Sequence, residues 1–477
     1  MMFDTYVTIS WIDYVIVVAY VFMMLGVGVY VYRKAPSFEQ YLLAGRSLNT
    51  PVIICTLAST YYGLDILFGT SEVAYNDGVV AFFGYSEMSI GIYIFAAFAL
   101  SKRLRDANFT SLPEILERNY GAGAAMIAAL GSIAYSIPTT SLFALGRICE
   151  VMFGLDARVG AFILGSVALA YTLLGGLMAV AVTDTIQFVL MCLTVAVAVP
   201  MIMNELGGFT AVEAIAPEGY FYLLGGMPVW LMLAYAATGI SILVDPGFYQ
   251  RIFAARSGRQ ARNAMLAAII IWLAYDWLVT AGGMLAATAV AQGLLPADLH
   301  SNDALLAVVT HVLPTGLVGI FLAGVLATAM STIDSYTLVA GANMSYDIYR
   351  PLVNPKASDR ELVKATKIGI VLSWILGYII AFAFSRIMAL LVFITTILTA
   401  TVLIPILVSI YWKGKKTAMA GLISSGSGLL SVIAFYFLIY YLGDFNETYG
   451  TFIWTFSIAG ESFSIWQEYS LFFSLPI

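Results

Sequence analysis

Charge is scarce in this 477-residue chain: Asp, Glu, Lys and Arg together make up 10% of it. Histidine and cysteine are scarcer still, at two and three residues. A water-soluble domain of this length carries a far more charged surface, so that class is excluded first. Cys55, Cys149 and Cys192 all sit in apolar runs without metal-ligand spacing, and read as small buried hydrophobes. His300 and His311 lie at or near a loop, which argues against a haem or zinc enzyme. Lacking a nucleophile–base pair and a metal cluster, the chain is not expected to be an enzyme. A cytoplasmic signalling domain, which a transporter-like sensor would carry, is not expected. Nor is a cleavable leader expected, because the first apolar run is long enough to span a membrane and follows Trp11-Ile-Asp13 without a basic stretch.

What is present is apolar. Hydrophobic residues make up 61% of the chain, and the mean hydropathy is +0.91. This content is spread over many runs of about 20 residues, the length a helix needs to cross a bilayer. Spans are expected at about 11–32, 50–75, 78–101, 122–153, 157–174, 175–204, 227–252, 263–292, 312–342, 366–385, 387–411 and 417–442. The basic residues are sorted by loop. Arg33, Lys34 and Arg46 follow the first span, and Lys102, Arg103, Arg105 and Arg118 the third. Arg251, Arg256, Arg259 and Arg262 follow the seventh, Arg350, Lys356, Arg360, Lys364 and Lys367 the ninth, and Lys413, Lys415 and Lys416 the eleventh. Thus 19 of the 22 basic residues fall in alternate loops, which the positive-inside rule places in the cytoplasm. Both termini are then extracytoplasmic. The net charge of −6 says little, because the charges are not pooled.

Against this background one stretch stands out. Gly324 to Ser335 carries Thr328, Ser331, Thr332, Asp334 and Ser335 inside a long apolar run. Thr328 and Thr332 are four apart, as are Ser331 and Ser335, which gives one oxygen-rich stripe on a helix. Polar groups at membrane depth are costly unless they face a protein interior or a water-filled cavity. Oxygens suit small hard cations, and nothing here suits a soft metal. Two readings remain open: hydroxyl glue between helices, or an ion site, toward which Asp334 tips the balance. Two spans are also interrupted. The second carries Ser59-Thr-Tyr-Tyr-Gly-Leu-Asp65 and Gly69 at its centre, and the seventh carries Gly239 and Asp245-Pro246-Gly247. Breaks at membrane depth are tolerated where they line a cavity or bind an ion. Two such breaks about five spans apart point to an inverted-repeat transporter.

Three motifs resemble the sodium:solute symporter family. Gly175-Gly-Leu-Met-Ala-Val-Ala-Val-Thr-Asp-Thr-Ile-Gln187 is similar to its GGLxAVxxTDxxQ pattern. Ala327-Thr-Ala-Met-Ser-Thr-Ile-Asp-Ser335, followed by Asp347-Ile-Tyr349, resembles a second family element. Gln250-Arg251-Ile-Phe-Ala-Ala255 resembles a third, and Gly146-Arg147 with Phe153-Gly154 a weaker one. The resemblance covers about residues 10–440. It implies an all-α polytopic membrane protein with the five-plus-five inverted-repeat fold of the leucine transporter (LeuT-like) and one extra N-terminal helix. The expected divisions are 1–49 (terminus, extra helix and cytoplasmic loop), 50–204 (first repeat), 205–226 (external loop), 227–411 (second repeat) and 412–477 (additional helix and external tail).

The resemblance further implies sodium-coupled symport by alternating access. The first sodium would meet backbone oxygens of Ser59, Tyr62 and Thr328 and the hydroxyls of Ser331 and Thr332. A second cation would sit at Asp184, Ser331, Asp334 and Ser335, so that one sodium and a proton, or two sodium ions, are carried. Asp334 departs from members with serine there. Two neighbouring carboxylates need a cation or a proton between them. Solute contacts are expected from Thr60, Tyr61, Asp65, Thr139, Thr140 and Tyr235, which fits a small polar organic solute. The arginine expected of sialic acid symporters is missing from Ser136-Ile-Pro-Thr-Thr140. The partners implied are solute, sodium and the lipid of an inner (plasma) membrane, with no nucleic acid and a functional monomer.

Other polar residues carry plainer readings. Arg147 and Glu150 are three apart on one helix and read as a local ion pair. Asp245 is placed to cap a helix. Glu87 and Asp276 read equally as structural bonds or cavity walls. In the aromatic tail after residue 442, the segment 467–477 is too short to cross and is expected at the outer surface or as the remnant of a shortened last helix.

Overall fold

The computed structural model of the chain describes residues 9–31, 37–225, 232–233, 236, 239–383, 387–446, 451–458 and 461–474. Several of its helices start where the sequence supplies a side-chain cap. α1 (Trp11–Val31) and the short α2 (Phe38–Leu43) precede α3 (Thr50–Tyr61), which opens on Asn49 accepting from the Val52 amide, with Pro51 in its first turn. α4 (Leu64–Asp77) completes the same span after a 58° bend. Residues 81–106 form an irregular helical segment that passes through π and 3-10 turns. There follow α5 (Leu112–Tyr120), α6 (Ala122–Tyr135), α7 (Thr139–Phe153) and α8 (Ala157–Glu205). α9 (Pro246–Ala254), α10 (Gly258–Ala291), α11 (Ser301–Val312) and α12 (Leu317–Ala342) come next. The last long helices are α13 (Asp359–Ala383), α14 (Ile387–Tyr411) and α15 (Ala418–Leu442).

Among the described residues, eight helices are long and apolar enough to cross a membrane, nine if α3 and α4 count as one bent span. The expected spans 157–174 and 175–204 meet at Gly176, whose φ of 57° and ψ of −148° are not helical, so α8 comprises two helices joined there. The seventh expected span, at 227–252, lies partly outside the described residues. The membrane-facing surface is visible in what is not buried: Trp11, Val15, Phe22, Val29 and Tyr30 of α1 are exposed, as only a lipid contact makes favourable.

Two compact units divide the chain. The first comprises residues 1–102, 141–239 and 254–335. In it α8 packs against α1, α3 and α10, and α4 packs against α10 and α11. The second comprises 103–140, 240–253 and 336–477, in which α6 packs against α5, α14 and α15. The tail in this unit departs from an all-helical chain. β1 (Asp444–Asn446), β2 (Thr451–Ile458) and β3 (Glu461–Trp466) form an antiparallel sheet in that order, and a short helix at Ser470–Ser474 returns to α15. Strand within 444–466 is not among the expected elements, whereas residues 467–474, inside the segment 467–477 expected at the outer surface or as a helix remnant, are helical. Phe452, Trp454 and Phe456 alternate with Ile453, Thr455 and Ser457 along β2, and that period of two was the available signal.

Candidate cation and solute site

The first unit contains the oxygen stripe. Ser59, Thr328, Ser331, Asp334 and Ser335 are all buried, each 1% exposed or less. α3 ends one residue before Tyr62, whose φ of −92° and ψ of 85° leave the helix. Its amide still reaches the Ala58 carbonyl at 3.2 Å, but the carbonyls of Ser59 to Tyr62 lose the regular partners an unbroken helix would give them. α12 answers that loss. The Ser331 hydroxyl donates to the Ser59 carbonyl at 2.8 Å and to the Thr328 carbonyl at 3.1 Å. Thr332 Oγ1 also donates to the Thr328 carbonyl, at 3.1 Å. Four of the five residues expected to form the first cage therefore converge on one point. Tyr62 stands at the break beside them, and its side chain turns away to donate to Asp276 on α10.

The residues of the expected second site fall into two linked groups. Thr56 donates to Asp184 of α8. Asp334 accepts from Tyr171 at 2.6 Å and from Ser335 at 3.0 Å, and Ser335 shares a 2.9 Å hydrogen bond with Thr60. Gln187, one turn beyond Asp184, donates to Tyr20 at 3.0 Å, and Tyr20 in turn contacts the Met330 sulfur at 3.8 Å. Each carboxyl thus has hydroxyl donors from a different helix. Close approach of α12 to α8 depends on Gly324, where a side chain would meet the Thr194 hydroxyl at 1.8 Å. Thr56, Tyr171 and Tyr20 are not marked by the sequence, and Gln187 appears there only as the end of a motif. They sit in apolar runs, and their partners are more than 100 residues away.

The expected solute residues separate. Thr60 joins the hydroxyl cluster through Ser335. Tyr61 is half-buried, with its ring 5.8 Å from that of Tyr93 and 5.3 Å from that of Trp272. Asp65 is in the first turn of α4. Thr139 opens α7 and is buried in the second unit, and Thr140 follows it. Tyr235 lies outside the described residues.

In the second unit Asp245 caps α9, accepting from the Phe248 amide at 2.6 Å, and its other oxygen accepts from Tyr135 at 2.9 Å and Tyr336 at 2.7 Å. Arg251, expected in a cytoplasmic loop, is instead fully buried within α9, donating to Gln250 at 2.9 Å. Arg147 and Glu150 form the expected exposed pair at 2.5 Å.

The model of the sodium:solute symporter family matches residues 41–425. Sodium/proline symporter 2 of Staphylococcus saprophyticus subsp. saprophyticus is 26% identical over 469 residues, covering 92% of this chain and 89% of its own. A Na+-coupled sialic acid symporter, solved in a substrate-bound outward-open state, matches with a TM-score of 0.81 at 20% identity, over 89% of this chain and 92% of its own. A nucleobase-cation-symport-1 family transporter, closed around bromovinylhydantoin, matches with a TM-score of 0.52 at 13% identity, over 85% and 89%. The fold is therefore that of the leucine-transporter-like symporters, a multi-pass membrane architecture. With the family model spanning most of its length, the chain belongs to the sodium:solute symporter family and is a sodium-coupled transporter, not an enzyme.

Proposed function

We propose that the protein imports a small polar organic solute together with sodium by alternating access, with one sodium held between the broken second span and α12. The ligands are the carbonyls of Ser59, Tyr62 and Thr328 and the hydroxyls of Ser331 and Thr332. The observation that carries this is the Ser331 hydroxyl, which bridges the Ser59 and Thr328 carbonyls across two helices. A cation can take the place of the bridging proton, because hydroxyl and carbonyl oxygens all present lone pairs. The buried Ser59 hydroxyl, with no hydrogen-bond partner among the described residues, adds a further oxygen at the same point. All these ligands are neutral. Binding is then weak enough for release inside, and it tightens the contact between α3 and α12 only while sodium is present.

A second cation belongs to Asp184, Ser331, Asp334 and Ser335. The Asp184 and Asp334 carboxylates supply the charge that the first cage lacks. Thr60, Tyr61, Asp65, Thr139 and Tyr235 remain the solute residues. The repeats correspond to 50–204 and 227–411, joined by the external loop 205–226. The segments 1–49 and 412–477 add one helix ahead of the repeats and one behind them. Both termini face outward from the plasma membrane, and the monomer is the working unit. Kinship with sodium/proline symporters puts amino acids first among solutes. The test is uptake into proteoliposomes under an imposed inward sodium gradient, with labelled proline heading a panel of amino acids and small organic acids. Accumulation that collapses when the gradient is removed is expected. Accumulation indifferent to sodium overturns the reading.

A further inference from the structure

Through the Tyr62 side chain the break also reaches a second polar cluster with different chemistry. The Tyr62 hydroxyl donates to Asp276, and the Glu87 carboxyl is near enough to interact with it electrostatically. Both acids are buried, at 2% and 8% exposure. Among the described residues, one oxygen of each, Asp276 Oδ1 and Glu87 Oε1, has no hydrogen-bond partner, and neither has the indole N–H of Trp272, one turn before Asp276. Among the described residues no Lys, Arg or His pairs with either acid. Two carboxyl groups side by side at membrane depth require a positive partner or a shared proton.

The walls decide between these. The Tyr62 ring stacks on Trp272 at 5.7 Å with an interplanar angle of 8°, while Tyr61 and Tyr93 meet the same indole at 5.3 and 5.6 Å. A shared proton would join the two acids and still leave their outer oxygens and the indole unsatisfied. A bare sodium ion seeks a shell of oxygens rather than rings. An alkylammonium satisfies both features, with its N–H or N–CH groups against carboxylates and its carbons against aromatic faces.

We propose that Glu87 and Asp276, walled by Tyr61, Tyr62, Tyr93 and Trp272, form a subsite for the ammonium group of the transported solute. The assignment rests on the symport reading and narrows its solute to one carrying a positively charged nitrogen. Tyr62 then links the two functions: its backbone faces the sodium cage while its hydroxyl holds the acid that receives the ammonium.

The test uses the full-length protein in nanodiscs at saturating sodium, so that the sodium cage is filled. Methylammonium and tetramethylammonium are titrated against the thermal midpoint and tryptophan fluorescence, with neopentyl alcohol as the uncharged counterpart of similar shape. Both cations are expected to raise the midpoint and the alcohol is not. Asp276→Asn should weaken the cation response roughly tenfold or more, as loss of one member of a buried charge pair does. Glu87→Gln should act in the same direction and serves if Asp276→Asn fails to fold, folding being checked by size-exclusion chromatography. A wild type that responds to sodium but to neither cation overturns the subsite and leaves the symport reading standing. An equal response to the alcohol, or an unchanged response in a folded variant, overturns it as well. If sodium itself produces no stabilisation, the symport reading falls and the subsite falls with it.

Discussion

At the scale of single residues, the cage depends on hydroxyls that have no apolar substitute. Ser331→Ala removes the one group that touches both the Ser59 and Thr328 carbonyls. Thr332→Ala removes a second oxygen. Each is expected to raise the sodium concentration at half-saturation roughly tenfold, about 1.4 kcal/mol, read from tryptophan fluorescence titrated with sodium. An unchanged midpoint in both variants removes the cage from these residues. Asp184→Ala tests the second cation separately. If two sodium ions bind, the Hill coefficient should fall from about two toward one while some sodium dependence persists. If a proton is shared instead, the wild type shows one-sodium stoichiometry with pH-dependent transport, and the variant loses the pH dependence. If Asp184 only ties α8 to Thr56 of α3, the variant loses thermal stability, with stoichiometry and pH profile unchanged. Ser331, Thr332, Asp334 and Asp184 were legible because oxygens and carboxylates at membrane depth are conspicuous against an apolar background. Tyr20 and Tyr171 were not. With 29 tyrosines in the chain, nothing local separates a ring that packs in lipid from one whose hydroxyl holds Asp334.

At the scale of elements, the breaks carry the architecture. The interruption after Tyr61 was readable from a polar, glycine-bearing centre in an apolar span. Its consequence, carbonyls met by Ser331, needed the fold. In α8 the edge of a new span expected at Gly175-Gly176 coincides with the turn, because Gly176 at φ 57° and ψ −148° leaves the helical region and joins two helices. A side chain at Gly176 would lie 2.2 Å from the Tyr41 carbonyl oxygen. The Tyr41 hydroxyl in turn donates to the Thr172 and Leu173 carbonyls, at 3.2 and 3.3 Å, so α2 is locked against this kink. Gly176→Ala combines a disfavoured backbone, costing about 1–3 kcal/mol, with that overlap. It is expected to lower the thermal midpoint by several degrees, whereas Gly26→Ala, which meets nothing within 4 Å, should leave it in place. Equal midpoints for the two variants would show that α2 can retreat without cost. The strands of the tail are legible in the alternation of its aromatics and not in their hydropathy. Thr455 and Ser464 share a 3.1 Å hydrogen bond across the β2–β3 pair, in the paired register that such alternation produces.

At the scale of the whole molecule, the strongest sequence signal concerns direction across the membrane. It comes from the loops and not from any contact. The basic residues cluster after the first, third, seventh, ninth and eleventh expected spans, while 205–226 is nearly free of Lys and Arg. Each Lys or Arg near a cytoplasmic leaflet gains about 1 kcal/mol from its anionic lipids, so the inverted orientation forfeits this many times over. Arg251 must be subtracted from the tally, since it is buried within α9, but the exposed Lys356 and Arg360 remain. Two exposed positions test the result. In a variant with Cys55, Cys149 and Cys192 replaced by serine, Glu218→Cys should react with a membrane-impermeant maleimide on intact cells. Lys356→Cys should react only after the cells are permeabilised. The opposite pattern reverses the molecule and turns import into export. Reaction of both positions on intact cells would place an even number of crossings between residues 218 and 356, where this topology has three (the seventh, eighth and ninth expected spans). That second outcome would strike at the seventh span in particular, because it alone lies partly outside the described residues, while α10 and α12 are both long and apolar enough to cross. Losing it would also break the pairing of 50–204 with 227–411, so one labelling experiment bears on orientation and on the repeats together.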